Sequence, residues 1–278
     1  MRSRITQYLK LNIAICTLTL TLTGTAHALT RPFKVVIDPG HGGTDQGTIY
    51  RKGDSQIAEK DMTLAIAKLV TRKLKERGIL AVLTRTRDQD VSLTDRTGLA
   101  NRIGADAFIS IHMNSTPQPG FGAEGIETYI LNNATDASSK RLAHLENSVL
   151  GGHETVSPDN MDVALILKDL RLDANESESK RLACTIQRNL AQDGMGSGIN
   201  DRGVKQALFH VLLGADMPSV LVEAGFLSNE RDRTWIGSAS GKQLISNAIA
   251  NAVERYRHTL NTRESRIQLN TCKISGHS

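Results

Sequence analysis

Four ionisable residues stand where such a side chain is costly unless it has a task. His41 follows an apolar run inside Asp38-Pro39-Gly40-His41-Gly42-Gly43, and His112 ends the run Phe108-Ile109-Ser110-Ile111-His112. Glu59 opens a long amphipathic stretch, and Glu223 closes the apolar segment Pro218-Ser219-Val220-Leu221-Val222. Two histidines and one carboxylate form a common catalytic zinc set that leaves a fourth position for water. Zinc brings the pKa of a water to about 7 and stabilises an oxyanion on a carbonyl. A second carboxylate beside such a set can take a proton from the attacking water and pass it to a leaving amine. Each residue also has a plainer reading. A strand-end histidine can be a hydrogen-bonded structural group, and a glutamate at a helix start can simply complement the helix dipole. The spacings run to tens of residues, so the metal reading rests on the four residues jointly and not on a compact motif.

The elements that must position these residues follow from periodicity. Residues 33–37 form a short apolar run ended by Asp38-Pro39-Gly40, which predicts a buried strand feeding a loop. Apolar residues at 62, 66, 67, 70 and 74 predict a helix over 59–77, closed by Gly78. Strands are expected over 79–84, 107–111, 126–131, 208–212 and 219–222, and helices over 92–103, with Ser92 as N-cap, 178–191 and 241–257. This order predicts an α/β fold: a mostly parallel twisted sheet with helices on both faces, forming a single catalytic domain. Both histidines then fall outside the carboxyl ends of strands, where open α/β sheets collect their ligands.

The ends of the chain carry different information. Arg2, Arg4 and Lys10, the apolar run 11–22 and Ala26-His27-Ala28 predict a signal peptide over 1–28, hence export, with the mature chain starting near Leu29. The apolar run is shorter than the roughly 20 residues of a membrane span, so no permanent anchor is expected. About 250 residues remain, enough for one α/β domain. Taking the three leader cations from the 34 Lys and Arg leaves 31 against 29 Asp and Glu. The mature chain is near neutral, which removes the electrostatic case for nucleic acid. Gly40, Gly42, Gly43 and Gly47 give neither a dinucleotide fingerprint nor a Walker loop. Outside the leader, Cys184 and Cys272 are the only thiols; their spacing is not metal-like and leaves their pairing open.

Several blocks of the sequence carry a resemblance. They are Ile37-Asp38-Pro39-Gly40-His41-Gly42-Gly43 with Asp45 and Gly47, Glu59-Lys60, Ser110-Ile111-His112-Met113-Asn114-Ser115, and Ser219 to Asn229. Gly125-Ile126-Glu127-Thr128-Tyr129 and Arg202-Gly203-Val204-Lys205 with Phe209 add to them. In this order they resemble the zinc-dependent N-acetylmuramoyl-L-alanine amidases typified by bacterial cell-separation enzymes, over about residues 34–257. The resemblance implies His41, Glu59 and His112 as zinc ligands and Glu223 as the catalytic glutamate. The implied reaction cuts the amide between N-acetylmuramic acid and L-alanine in peptidoglycan. Met113 departs from the small residue more usual after the second histidine.

Between residues 132 and 175 the composition turns to Ala, Ser, Asn and Asp, with Gly151-Gly152 and Ser157-Pro158 as breakers. This insertion is similar to the one in Gram-negative, periplasmic cell-division amidases, where a helix covers the site until an activator protein moves it. Leu142-Ala143-His144-Leu145-Glu146-Asn147 matches that helix and implies Glu146 as an autoinhibitory fourth ligand; a solvated helix face is the plainer reading. The segment 162–167 can face a partner or pack on the domain. Residues 261–278 read as a polar tail. Two rival functions remain: a zinc peptidase acting on another peptidoglycan bond, and a non-catalytic wall-binding protein.

Overall fold

The computed structural model describes residues 31–116, 122–134, 136–148, 172–194, 198–260 and Cys272. The expected leader, the segment 162–167 and most of the tail lie outside the described residues.

A six-stranded sheet forms the centre, in the order β4-β1-β5-β8-β6-β7. Its strands are β1 (Lys34–Pro39), β4 (Leu80–Leu83), β5 (Ala107–Asn114), β6 (Ile126–Leu131), β7 (Asp201–Ala207) and β8 (Ser219–Phe226). Strands β4, β1, β5 and β8 run parallel, whereas β6 is antiparallel to β8 and parallel to β7. The carboxyl ends of β1, β5 and β8 therefore share one edge, and β6 begins beside the end of β8. A separate hairpin of β2 (Ile49–Lys52) and β3 (Ser55–Ala58) leads into α1 (Glu59–Glu76).

Side chains alternate across the sheet with period two. Val35, Ile37, Ile109, Ile111, Val220 and Val222 face one way. They pack on Ile66, Val70 and Leu74 of α1, on Leu182 and Ile186 of α4 (Leu172–Gly194), and on Ile249 and Val253 of α7 (Ala239–Leu260). Val36, Phe108, Tyr129 and Leu221 face the other way, toward Ala100 of α2 (Leu93–Ile103) and Leu142 of α3 (Ala137–Asn147). The mostly parallel sheet clad on both faces is the expected architecture. Ser92 caps α2 by accepting from the Asp95 amide, and Gly104 ends it in the left-handed conformation, φ 60°.

One expectation needs correction. Residues 208–212 are not a strand: α5 (His210–Leu213) is a short helix, and the strand is β7, just upstream. A central strand is apolar on both faces, but β7 is an edge strand that carries Asp201, Arg202, Lys205 and Gln206, so its polar sequence hid it. The hairpin and α6 (Glu230–Gly237) were likewise invisible to apolar periodicity. Cys272, placed by sequence in a polar tail, is disulfide-bonded to Cys184 of α4, with Cα atoms 5.8 Å apart and a sequence separation of 88. No helix among the described residues is long and apolar enough to cross a membrane.

Candidate metal centre

The loop after β1 is shaped by two buried arginines. Arg85 donates from Nε to the Pro39 carbonyl (3.0 Å) and from Nη2 to the Gly40 carbonyl (2.8 Å). Arg96 donates from Nη1 to Asp38 Oδ1 (2.8 Å) and from Nη2 to the His41 carbonyl (3.0 Å). These contacts over-determine a strained turn: His41 takes φ 61°, a value costly for a side chain with a Cβ. Asp38 is fully buried and also accepts from Thr84 and Ser110. Burial pushes its carboxyl up, but the Arg96 charge and these hydrogen bonds outweigh that and hold it below the ordinary value.

The turn delivers His41 to the sheet edge. Its Nδ1 lies 2.7 Å from Asp45 Oδ2, which leaves Nε2 facing Glu59 Oε1 (3.0 Å) and Glu146 Oε2 (3.3 Å). His112 Nδ1 lies 3.2 Å from Glu59 Oε1 and 2.9 Å from Glu146 Oε2. Glu59 sits at the start of α1 and accepts the backbone amides of Thr48 (2.8 Å) and Met113 (2.8 Å). Glycine is required beside these rings, because a Cβ at Gly40 would collide with the His112 imidazole and one at Gly47 with His41 and Glu59. Met113, unusual by resemblance, is buried in the core on the α1 face.

Glu146 arrives on α3. Asp136 caps this helix through the Ser139 amide (2.9 Å), and Leu142 and Ala143 are buried beneath it. Arg141 Nη2 donates to the Ser115 carbonyl (3.0 Å). Asn147 donates to the Leu208 carbonyl (2.7 Å) and accepts the His210 amide (2.8 Å).

His41 Nε2, His112 Nδ1 and Glu146 Oε2 are buried and lack a hydrogen-bond partner among the described residues. With Glu59 they offer four ligand atoms that all lie within 4.8 Å of one another. Ligand atoms about 2.1 Å from a tetrahedral zinc lie roughly 3.4 Å apart, close to the contacts just given. Two nitrogens, two carboxylate oxygens and buried atoms without partners fit a divalent metal ion. Burial alone would lower both histidines. The charges of Glu59 and Glu146 and the carboxylate contacts, Asp45 included for His41, prevail and carry each up to about 10. Burial likewise favours the neutral acid at Glu59, but the two imidazoles pull its carboxyl far down.

Glu223 lies on β8 as the register partner of His112. It is fully buried, and neither carboxylate oxygen has a partner among the described residues. Burial, followed by the charges of Glu146, Glu59 and Glu127, raises it well above an ordinary glutamate. Across the antiparallel β6–β8 ladder its register partner is Glu127. Glu127 accepts from Arg202 (2.5 Å), Lys205 (2.7 Å), Asn114 (2.8 Å) and Tyr129 (2.7 Å). All five residues picked out by sequence therefore converge on one sheet edge. Asp38, Glu127, Arg202 and Lys205 were quoted within motif blocks but given no role, and Arg85 and Arg96 were not singled out, although a carboxylate inside each of the apolar runs 34–39 and 126–131 was the available signal.

The family profile for N-acetylmuramoyl-L-alanine amidases matches residues 35–255. The chain belongs to the N-acetylmuramoyl-L-alanine amidase family. It is 35% identical to the N-acetylmuramoyl-L-alanine amidase AmiA of Escherichia coli K12 over 229 residues, covering 81% of this chain and 76% of that one. Among solved structures it is similar to the N-acetylmuramoyl-L-alanine amidase of Clostridium difficile 630, with 31% identity and a TM-score of 0.61, covering 84% of this chain and 98% of that one. Amidase AmiC2 of Nostoc punctiforme is a second neighbour, with 30% identity and a TM-score of 0.59 over 81% of this chain and 97% of its own. This amidase is accordingly a hydrolase of peptidoglycan with a cluster able to hold a metal ion.

Proposed function

We propose that His41, Glu59 and His112 hold a zinc ion, that Glu223 is the general base, and that Glu146 is an inhibitory fourth ligand. The observation that carries this reading is the convergence of four ligand atoms, three of them buried without hydrogen-bond partners among the described residues. Bound zinc supplies Lewis acidity there, activating water near neutral pH and polarising an amide carbonyl. Asp45 holds the far nitrogen of His41 and so orients its free nitrogen, the usual task of an outer partner. Glu223 takes a proton from the attacking water and delivers it to the departing alanine nitrogen. The bond broken joins the lactyl carbonyl of N-acetylmuramic acid to the nitrogen of L-alanine.

Glu146 Oε2 stands where a water would otherwise be needed, so α3 in this position blocks the reaction. In this reading the insertion 132–175 is a regulatory element moved by an activator protein, and the enzyme acts in daughter-cell separation. Residues 1–28 are a signal peptide, 29–260 the catalytic domain and 261–278 a tail. Export to the periplasm is supported by the Cys184–Cys272 disulfide, since such bonds persist in oxidising compartments.

The test uses the chain from residue 29 onward on isolated peptidoglycan with added zinc, with products read by mass spectrometry. Wild type, Glu223→Ala and Glu146→Ala are run together. Stem peptides with a free N-terminal alanine are expected, abolished in Glu223→Ala and increased in Glu146→Ala. Release of other fragments would point to a different bond, and no release from any form would overturn the zinc and general-base assignment.

A further inference from the structure

Asn114 lies two residues beyond His112 on β5, with a register shift against β8 between them. It is 3% exposed, and its Nδ2 donates to Glu127 Oε2. That contact orients the amide, because an ionised carboxylate accepts hydrogen bonds and has none to donate. Burial favours the neutral form of Glu127, but the charge of Lys205 and hydrogen bonds from Lys205, Arg202 and Tyr129 keep it ionised. The other corner of the Asn114 amide, Oδ1, is therefore a pure acceptor. It is buried and has no partner among the described residues. Native chains rarely keep such an atom unless something else brings the donor.

Glu127 ties this acceptor to the reaction. It holds Asn114 on one side and is the register partner of Glu223 on the other, so two side chains with unmatched acceptors flank one carboxylate. The substrate of this family is rich in amide N–H donors: the scissile amide, the following peptide bond and the acetamido group of the sugar.

We propose that Asn114 Oδ1 accepts a hydrogen bond from an amide N–H of the substrate and so sets the angle at which the scissile amide meets Glu223. Glu127, Lys205 and Arg202 are then positioning residues that act through Asn114. This inference rests on Glu223 as the general base. Glu223→Gln is run alongside, and full activity in that variant would sink the base assignment while leaving the Asn114 result readable.

The test uses soluble N-acetylmuramoyl peptides methylated singly at the scissile nitrogen, at the next peptide nitrogen or at the acetamido nitrogen. Each is assayed with wild type, Asn114→Ala and Tyr129→Phe, in both the native and Glu146→Ala backgrounds. One methylation is expected to cost wild type about tenfold in kcat/KM, the scale of one substrate hydrogen bond. Asn114→Ala should lose a similar factor on the parent substrate and nothing further on that methylated one. Tyr129→Phe removes a partner of Glu127 but leaves the acceptor, so it should keep the full methylation penalty. If the Asn114→Ala and methylation losses multiply at all three positions, or if wild type cuts all three as fast as the parent, the proposal falls. Should Asn114→Ala not fold, Asn114→Ser takes its place, because a shorter side chain also withdraws the carbonyl.

Discussion

The side chains of the candidate metal cluster are held in very different ways. His41 rests on a turn whose carbonyls are clamped by Arg85 and Arg96, the latter anchored on Asp38 inside the sheet. Glu59 and His112 belong to the first turn of a long amphipathic helix, where Glu59 is itself buried, and to a fully buried strand. Glu146 belongs to an eleven-residue helix with a side-chain cap, whose buried residues are Ser139, Leu142 and Ala143 and which is tied to the body of the protein by hydrogen bonds from Arg141 and Asn147. Local opening draws on elements with few buried contacts, so in the proposed reading α3 leaves at modest cost while His41, Glu59 and His112 stay. A permanent site and a removable plug need different anchoring free energies, and the proposed inhibition by Glu146 would place them on separate elements.

The contrast is most severely tested at its rigid end. Arg96→Met leaves the buried Asp38 carboxylate without its cation, and breaking such a pair costs about 3–5 kcal/mol. A large fall in melting temperature is expected, with loss of zinc affinity measured by equilibrium dialysis. A mild effect would mean that the turn is held by other contacts.

A pH series sharpens the same point. The folded pKa of Asp38 is depressed, so its contribution is fully present above its unfolded value of about 3.9 and is lost as pH falls through the folded value. The difference in melting temperature between wild type and Asp38→Asn should be constant above about pH 5 and shrink in more acid solution. A difference independent of pH would show that Asp38 matters through packing and not through charge.

At the loose end, Asn147→Ala removes both hydrogen bonds that fasten the carboxyl end of α3. Basal activity without an activator should rise about tenfold, since two net hydrogen bonds are worth roughly 1–3 kcal/mol. Asp136→Ala removes only the N-cap, worth about 1 kcal/mol, and should raise basal activity about fivefold. In both variants the melting temperature should move little. Unchanged basal activity in both would mean that α3 does not gate the site.

Much of this was legible along the chain. Alternating and helical periodicity located β1, α1, α2, β5 and α7, because those elements bury one continuous face and must therefore be apolar at fixed intervals. His41, His112 and Glu223 could be picked out because ionisable groups at the ends of apolar runs need a reason to be there, Glu59 because it opens a long helix, and Glu146 only through the family resemblance. The run 208–212 misled because an apolar stretch of five residues does not distinguish a strand from a short buried helix. The polar β7 was missed because its charges serve Glu127, not solvent.

Residue types and local spacing dictated the donor set, the strand-to-loop position of His41 and the helix-opening position of Glu59, since these depend only on neighbours in sequence. Convergence was another matter. His41, Glu59, His112, Glu146 and Glu223 come from five different elements, and the register of β5 against β8 brings His112 beside Glu223. The antiparallel turn of β6 sets Glu127 across from Glu223, and the docking of α3 carries Glu146 to the two imidazoles. Sheet order and helix docking are settled by long-range packing between segments tens of residues apart, and no local pattern encodes which strand will lie beside which.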